Sequence, residues 1–66
     1  MQSGDNHSRT ILVVEDERLM RRLLERILCT DHTSVLLAAD GAAGVEVYHA
    51  RSRQITGVIL DLTMPG

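Results

Sequence analysis

Lysine is absent from this chain of 66 residues, so every basic side chain is an arginine; Lys+Arg number 7 against 9 Asp+Glu, a formal net charge of -2. An arginine fork is a poor substitute for a compact ammonium point charge, so these residues furnish no chemistry that depends on a lysine. A lone cysteine, Cys29, excludes an internal disulfide and suits a reducing compartment. It is expected to be a small buried apolar group near a helix end. No apolar run approaches the roughly 18 residues needed to span a bilayer, and no secretory apolar region follows Met1, which makes a soluble, cytoplasmic protein the expectation. There is no Gly-rich phosphate loop, which argues against a P-loop ATPase, and Asp61-Leu62-Thr63 lacks the second aspartate of an aspartate-based phosphatase. Internal repeats and low-complexity tracts are also missing.

The chain that remains has an ordinary globular composition, 44% hydrophobic and 24% charged, and is expected to fold. A chain of this length buries only about 60% of its unfolded surface, so marginal stability is expected. Residues 1–9 are polar and without periodicity, and are read as a flexible leader. Residues 10–14 form a β-branched and aliphatic run without alternation, as in a strand covered on both faces. Asp16 or Glu17 can then cap a helix, in which Leu19, Met20, Leu23, Leu24, Ile27 and Leu28 recur at helical spacing. The arginines of that segment, Arg18, Arg21, Arg22 and Arg26, are interleaved with Glu17 and Glu25. This pattern reads as a solvated helix face, not a nucleic-acid surface.

After a polar break at residues 30–33, residues 34–38 read as a second strand. Ala39-Asp40-Gly41 turns into a second helix, residues 42–50, with Val45, Tyr48 and Ala42 expected to face inward and Tyr48 at the edge of the core. Gly44 inside it costs roughly 1 kcal/mol relative to alanine. A third strand follows at residues 58–61. Strands alternating with helices imply a parallel sheet with right-handed crossovers, in which functional groups gather at the carboxyl ends of the strands. His7, His32 and His49 have no paired ligand spacing and are placed on the surface or in turns.

Both acidic clusters fall at such strand ends: Glu15-Asp16-Glu17 after the first strand and Asp61 after the third. Each alone could serve a helix N-terminus or a turn. Together, carboxylates held close repel and raise one another's pKa, and a cation relieves that repulsion. Oxygen donors of this kind suit Mg²⁺, and an aspartate beside Mg²⁺ can act as a phosphoryl acceptor. Glu17 is assigned to the helix N-terminus in preference to the metal.

Ile11-Leu12-Val13-Val14-Glu15-Asp16-Glu17, Ala39-Asp40-Gly41 and Val58-Ile59-Leu60-Asp61-Leu62-Thr63-Met64-Pro65-Gly66 together resemble the receiver domain of two-component response regulators. The last stretch is the most specific, and the separation of Asp16 from Asp61, 61 − 16 = 45 positions, also suits that family. The resemblance implies the β-α-β-α-β portion of a doubly wound, flavodoxin-like α/β sheet over residues 10–66. It implies Asp61 as phosphoacceptor, Asp16 as a direct Mg²⁺ ligand beside Asp61, Glu15 as a ligand through water, and the backbone carbonyl of Thr63 as the remaining protein ligand. Glu15 stands where the family more often has Asp, a change of one methylene that a water bridge absorbs. Met64 and Pro65 shape the loop after Asp61.

The implied role is a module of phosphorelay signal transduction, not an enzyme, phosphorylated by a sensor histidine kinase or phosphotransfer protein. A whole receiver is about twice as long and takes a Ser or Thr and a Lys from its second half, so this chain is expected to represent the first half. On that view the third strand is an apolar edge, through which the chain is expected to form a homo-oligomer. The alternative is a phosphorylation-incompetent receiver acting as an interaction module.

Overall fold

A computed structural model describes residues 8–61. The elements alternate as β1 (Arg9–Glu15), α1 (Arg18–Leu28), β2 (Thr33–Ala38), α2 (Gly41–Arg51) and β3 (Gly57–Asp61). The strands make one parallel sheet in the order β2-β1-β3, the doubly wound α/β arrangement expected. Arg9 opens β1; residues 1–7 of the expected leader lie outside the described residues.

The chain reverses direction across β1. It steps from β1 to β2 on one side and then crosses back to β3 on the other, so right-handed connections place α1 and α2 on opposite faces of the sheet. This is why β1 carries no hydrophobic alternation: Leu12, Val13 and Val14 are all buried, one pointing to each face in turn. Register assigns the faces. Val14 meets α2, so Leu12 and Val14, with their partners Leu36, Ala38, Val58 and Leu60, share that face. Ile11, Val13 and Glu15 share the α1 face with Val35, Leu37, Gly57, Ile59 and Asp61.

The core lies under α2. Leu12, Val14 and Ala38 are packed by Leu36, Ala43, Val47 and Ile55. The inward face of α2 therefore differs from the expectation for Ala42, Val45 and Tyr48. Ala42 is exposed, and Val45 and Tyr48 are 57% and 45% exposed. The reason is Gly44: a Cβ built on it would stand 2.8 Å from Val14 Cγ2. The missing side chain lets the helix backbone settle onto the sheet there, with Ala43 and Val47 inward. Val45 and Tyr48 instead line an apolar groove of about 520 Å³ with Leu12, Val14, Val58 and Leu60.

On the other face, α1 rests on the sheet through half-buried Met20, Leu24 and Leu28. Leu19, Leu23 and Ile27 are exposed. Cys29, expected to be buried, is exposed, because the backbone leaves the helix there in an extended conformation; its N–H still donates to the Glu25 carbonyl at 2.9 Å. None of the described helices is long and apolar enough to cross a membrane.

Two threonine contacts set the strand boundaries. Thr30 and Thr33 exchange backbone hydrogen bonds, so β2 begins at Thr33, one residue earlier than expected. Thr56 donates its backbone N–H to the Thr10 carbonyl at 2.8 Å, and its Oγ1 accepts from the Thr10 N–H at 3.3 Å. This pair aligns β3 with β1 and thereby fixes which residues meet at the opposite end.

Candidate functional site

At the carboxyl end of the sheet, the β1–β3 register ends on Glu15 opposite Asp61. Residues 46 positions apart in sequence, 61 − 15, thus become neighbours on adjacent strands. Glu15 is completely buried, whereas Asp61 and Asp16 are exposed. The arrangement is one enclosed carboxyl group beside two accessible ones.

Glu15 also holds the start of α1. Its Oε2 accepts the Glu17 N–H at 2.9 Å, satisfying a donor that precedes the first helical turn. Glu17 occupies the N-cap position, as expected, but its side chain makes no capping hydrogen bond; Glu15 instead anchors the backbone of the N-cap residue itself. From inside the helix, the Arg21 guanidinium donates Nη1–H to the Glu15 carbonyl at 3.0 Å. Arg21, grouped with the solvated arginines by sequence, is half-buried and ties the helix to the strand tip. Its position about one turn beyond the acidic cluster was the available signal, hidden by three other arginines on the same segment.

The other oxygen of Glu15, Oε1, is buried without a hydrogen-bond partner. A buried acceptor left unpaired has lost its water without a replacement partner, and a proton or a cation would relieve it. The Glu17 N–H pulls the Glu15 pKa down, but burial and the Asp61 and Asp16 carboxyl groups outweigh it and hold the pKa above the ordinary carboxylate value. The cause is the one expected of crowded carboxylates.

Oxygen donors beside an unpaired buried oxygen fit Mg²⁺, which keeps several waters and often takes only one or two protein carboxylates. Among the described residues, no group of three or more His, Cys, Asp or Glu side chains is disposed to hold a metal ion. The Thr63 carbonyl, with Met64 and Pro65, lies outside the described residues. Asp40, at the same end of the sheet, is committed to structure: its Oδ1 accepts the Ala43 N–H at 2.8 Å and caps α2. His32 lies in the turn before β2 and His49 in the last turn of α2, both exposed, while His7 lies outside the described residues.

Compared with known families, residues 11–66 match the response regulator receiver domain. No curated protein and no solved structure matches the chain.

Proposed function

Because the chain belongs to the response regulator receiver domain family, we propose that it serves phosphorelay signalling by accepting a phosphoryl group on Asp61 from a histidine kinase or phosphotransfer protein. The observation that carries this reading is the β1–β3 register, which sets the exposed Asp61 beside the buried Glu15 and its unpaired oxygen. A nucleophile must be reachable by a protein donor, and a group that tunes charge works best when enclosed.

In the proposed transfer, a carboxylate oxygen of Asp61 attacks the phosphorus of a phosphohistidine. The new O–P bond forms as the P–N bond breaks, and the electron pair returns to the imidazole nitrogen, which takes up a proton. The product is an aspartyl phosphate. Asp61 and Asp16 would hold Mg²⁺ directly, with Glu15 acting through water and the Thr63 carbonyl as a further ligand. Bound Mg²⁺ supplies charge neutralisation for the crowded carboxylates and phosphoryl oxygens. The Glu17 N–H and the Arg21 guanidinium keep the Glu15 carboxyl and carbonyl in place. On this reading the chain is an acceptor in a relay and not an enzyme, and it works in the cytoplasm, where such kinases present their phosphohistidine.

Incubation with acetyl phosphate and Mg²⁺, read by intact mass, tests the proposal. An acid-labile phosphoryl mass gain is expected, lost in Asp61→Asn and on chelation of the metal. A gain that persists in Asp61→Asn would overturn the site. No gain in the wild type would favour an interaction module lacking phosphotransfer, a second reading supported by the exposed Val58 and Leu60 on β3. That module would pair through the β3 edge into a homo-oligomer, and a strictly monomeric sedimentation profile at micromolar concentration would eliminate it.

A further inference from the structure

Among the described residues, β2 is the sheet edge on the side away from β3, and it carries none of the usual protection. Its sequence, Thr33-Ser34-Val35-Leu36-Leu37-Ala38, contains no charge and no proline, the devices that ordinarily keep an edge strand from pairing. The direction of each backbone group follows from the register. The Arg9 N–H donates to the His32 carbonyl at 2.8 Å, so Ser34, Leu36 and Ala38 turn their N–H and C=O toward β1, while Thr33, Val35 and Leu37 turn theirs outward. Thr33 already exchanges both backbone hydrogen bonds with Thr30. The open edge is therefore the run 34–38, centred on Leu36, and its outward groups are the N–H and C=O of Val35 and Leu37.

A groove of about 350 Å³ runs beside this edge, lined by Leu36, Leu37, Glu46, Val47, Ala50 and Arg51. On the flank of α2, Val47 and Ala50 form its apolar middle. Glu46 and Arg51, both exposed, stand at its two ends with opposite charge.

We propose that this edge is a dimer interface, occupied by β2 of a second copy of the chain, paired antiparallel about a two-fold axis at Leu36. In that register Val35 pairs with the partner's Leu37, and Leu37 with the partner's Val35, each pair exchanging both backbone hydrogen bonds. The strand ends at Ala38, so neither chain runs into the turn at Thr30 of the other. The helices suit the same axis. α2 packs on β1 and β2 alike, which centres it over the gap between them. With strands about 4.8 Å apart, the two copies of α2 then lie about 10 Å apart, a distance at which helices pack. Glu46 comes opposite the partner's Arg51, and Arg51 opposite the partner's Glu46, so the flank is complementary to itself. An extended peptide from another protein would satisfy Val35 and Leu37 but leave Val47 and Ala50 uncovered and both charges unanswered.

The test uses the whole chain, with sedimentation equilibrium from micromolar to millimolar concentration and amide hydrogen exchange read by NMR. A monomer–dimer equilibrium is expected, with the Val35 and Leu37 amides gaining protection as concentration rises. Glu46→Arg and Arg51→Glu should each weaken the dimer by roughly tenfold, because each sets like charges across the axis. The double variant Glu46→Arg/Arg51→Glu should restore it, which separates lost association from lost folding. A monomer throughout, a dimer indifferent to the charge reversals, or protection at Ile59 of β3 in place of Val35 and Leu37 would each overturn the proposal. Asp61→Asn should dimerise as the wild type does, so failure of phosphoryl acceptance and failure of dimerisation are read separately.

Discussion

The two helices teach opposite lessons. α1 has the stronger amphipathic pattern, yet none of its residues is fully buried and its outer apolar row stays in solvent. α2 is weakly patterned, with glycines at its start and within it, yet it covers the core and buries Gly44 against Val14. Periodicity says which side of a helix is apolar. How closely that side packs depends on whether the backbone can approach, and here a missing side chain does more than an extra leucine.

The largest expected effect separates the two faces directly. Leu12→Ala, under α2, should cost about 2–5 kcal/mol, enough to leave much of so short a chain unfolded. Leu19→Ala, on the outer row of α1, should change stability by less than about 0.5 kcal/mol. Urea denaturation followed by circular dichroism compares them, and equal losses would erase the distinction between a packed and an uncovered helix.

The two glycines of α2 sharpen it next. Helix propensity alone favours alanine over glycine by roughly 1 kcal/mol at an interior position. Gly41→Ala meets nothing within 4 Å and should be neutral or slightly stabilising. Gly44→Ala should be destabilising by about 1–3 kcal/mol, the usual cost of overpacking, because Val14 must move. If both variants stabilised the chain, close approach would not be the reason for Gly44.

The helix starts differ on a smaller scale. Asp40→Ala removes the bond to the Ala43 N–H and should cost about 1 kcal/mol. Glu17→Ala should cost only a few tenths of a kcal/mol, the size of a screened interaction with the helix dipole, since the N-cap side chain makes no bond. Thermal melts of the two variants resolve the difference.

The last effect is defined by its sign. The folded-state pKa of Glu15 lies above the ordinary value, so its favourable contribution is complete below the unfolded carboxylate pKa and is lost as pH rises through the folded value. In metal-free buffer, Glu15→Gln should therefore melt higher than the wild type at neutral pH, with the gap closing in acid. A variant less stable at neutral pH would show that the ionised carboxylate is satisfied as it stands.

Much of this architecture was legible from residue order. The unbroken run Ile11-Leu12-Val13-Val14 announced a strand covered on both sides, and the alternation of strands and helices announced parallel crossovers. Strand ends carrying Glu15, Asp16 and Asp61 located the candidate site, because the carboxyl end of a parallel sheet is where the topology gathers groups. Less legible were features that depend on distance. Arg21 looked like its neighbours until the helix was placed over the strand tip, and Cys29 looked buried until the backbone turned out of α1. Glu17 does take the N-cap position, but its side chain caps nothing and its backbone is held by Glu15.

Local sequence was sufficient to determine the elements, their parallel order and the acidic chemistry at their ends, since these follow from side-chain period, backbone preference and charge. Tertiary structure alone decided which carboxyl group is enclosed and which are open, and which helix packs tightly. Both depend on register and on the approach of one backbone to another. Thr10 and Thr56 at one end of the sheet bring Glu15 opposite Asp61 at the other, and Gly44 lets α2 settle onto Val14, while α1, rotated on its own face, leaves Leu19, Leu23 and Ile27 to the solvent.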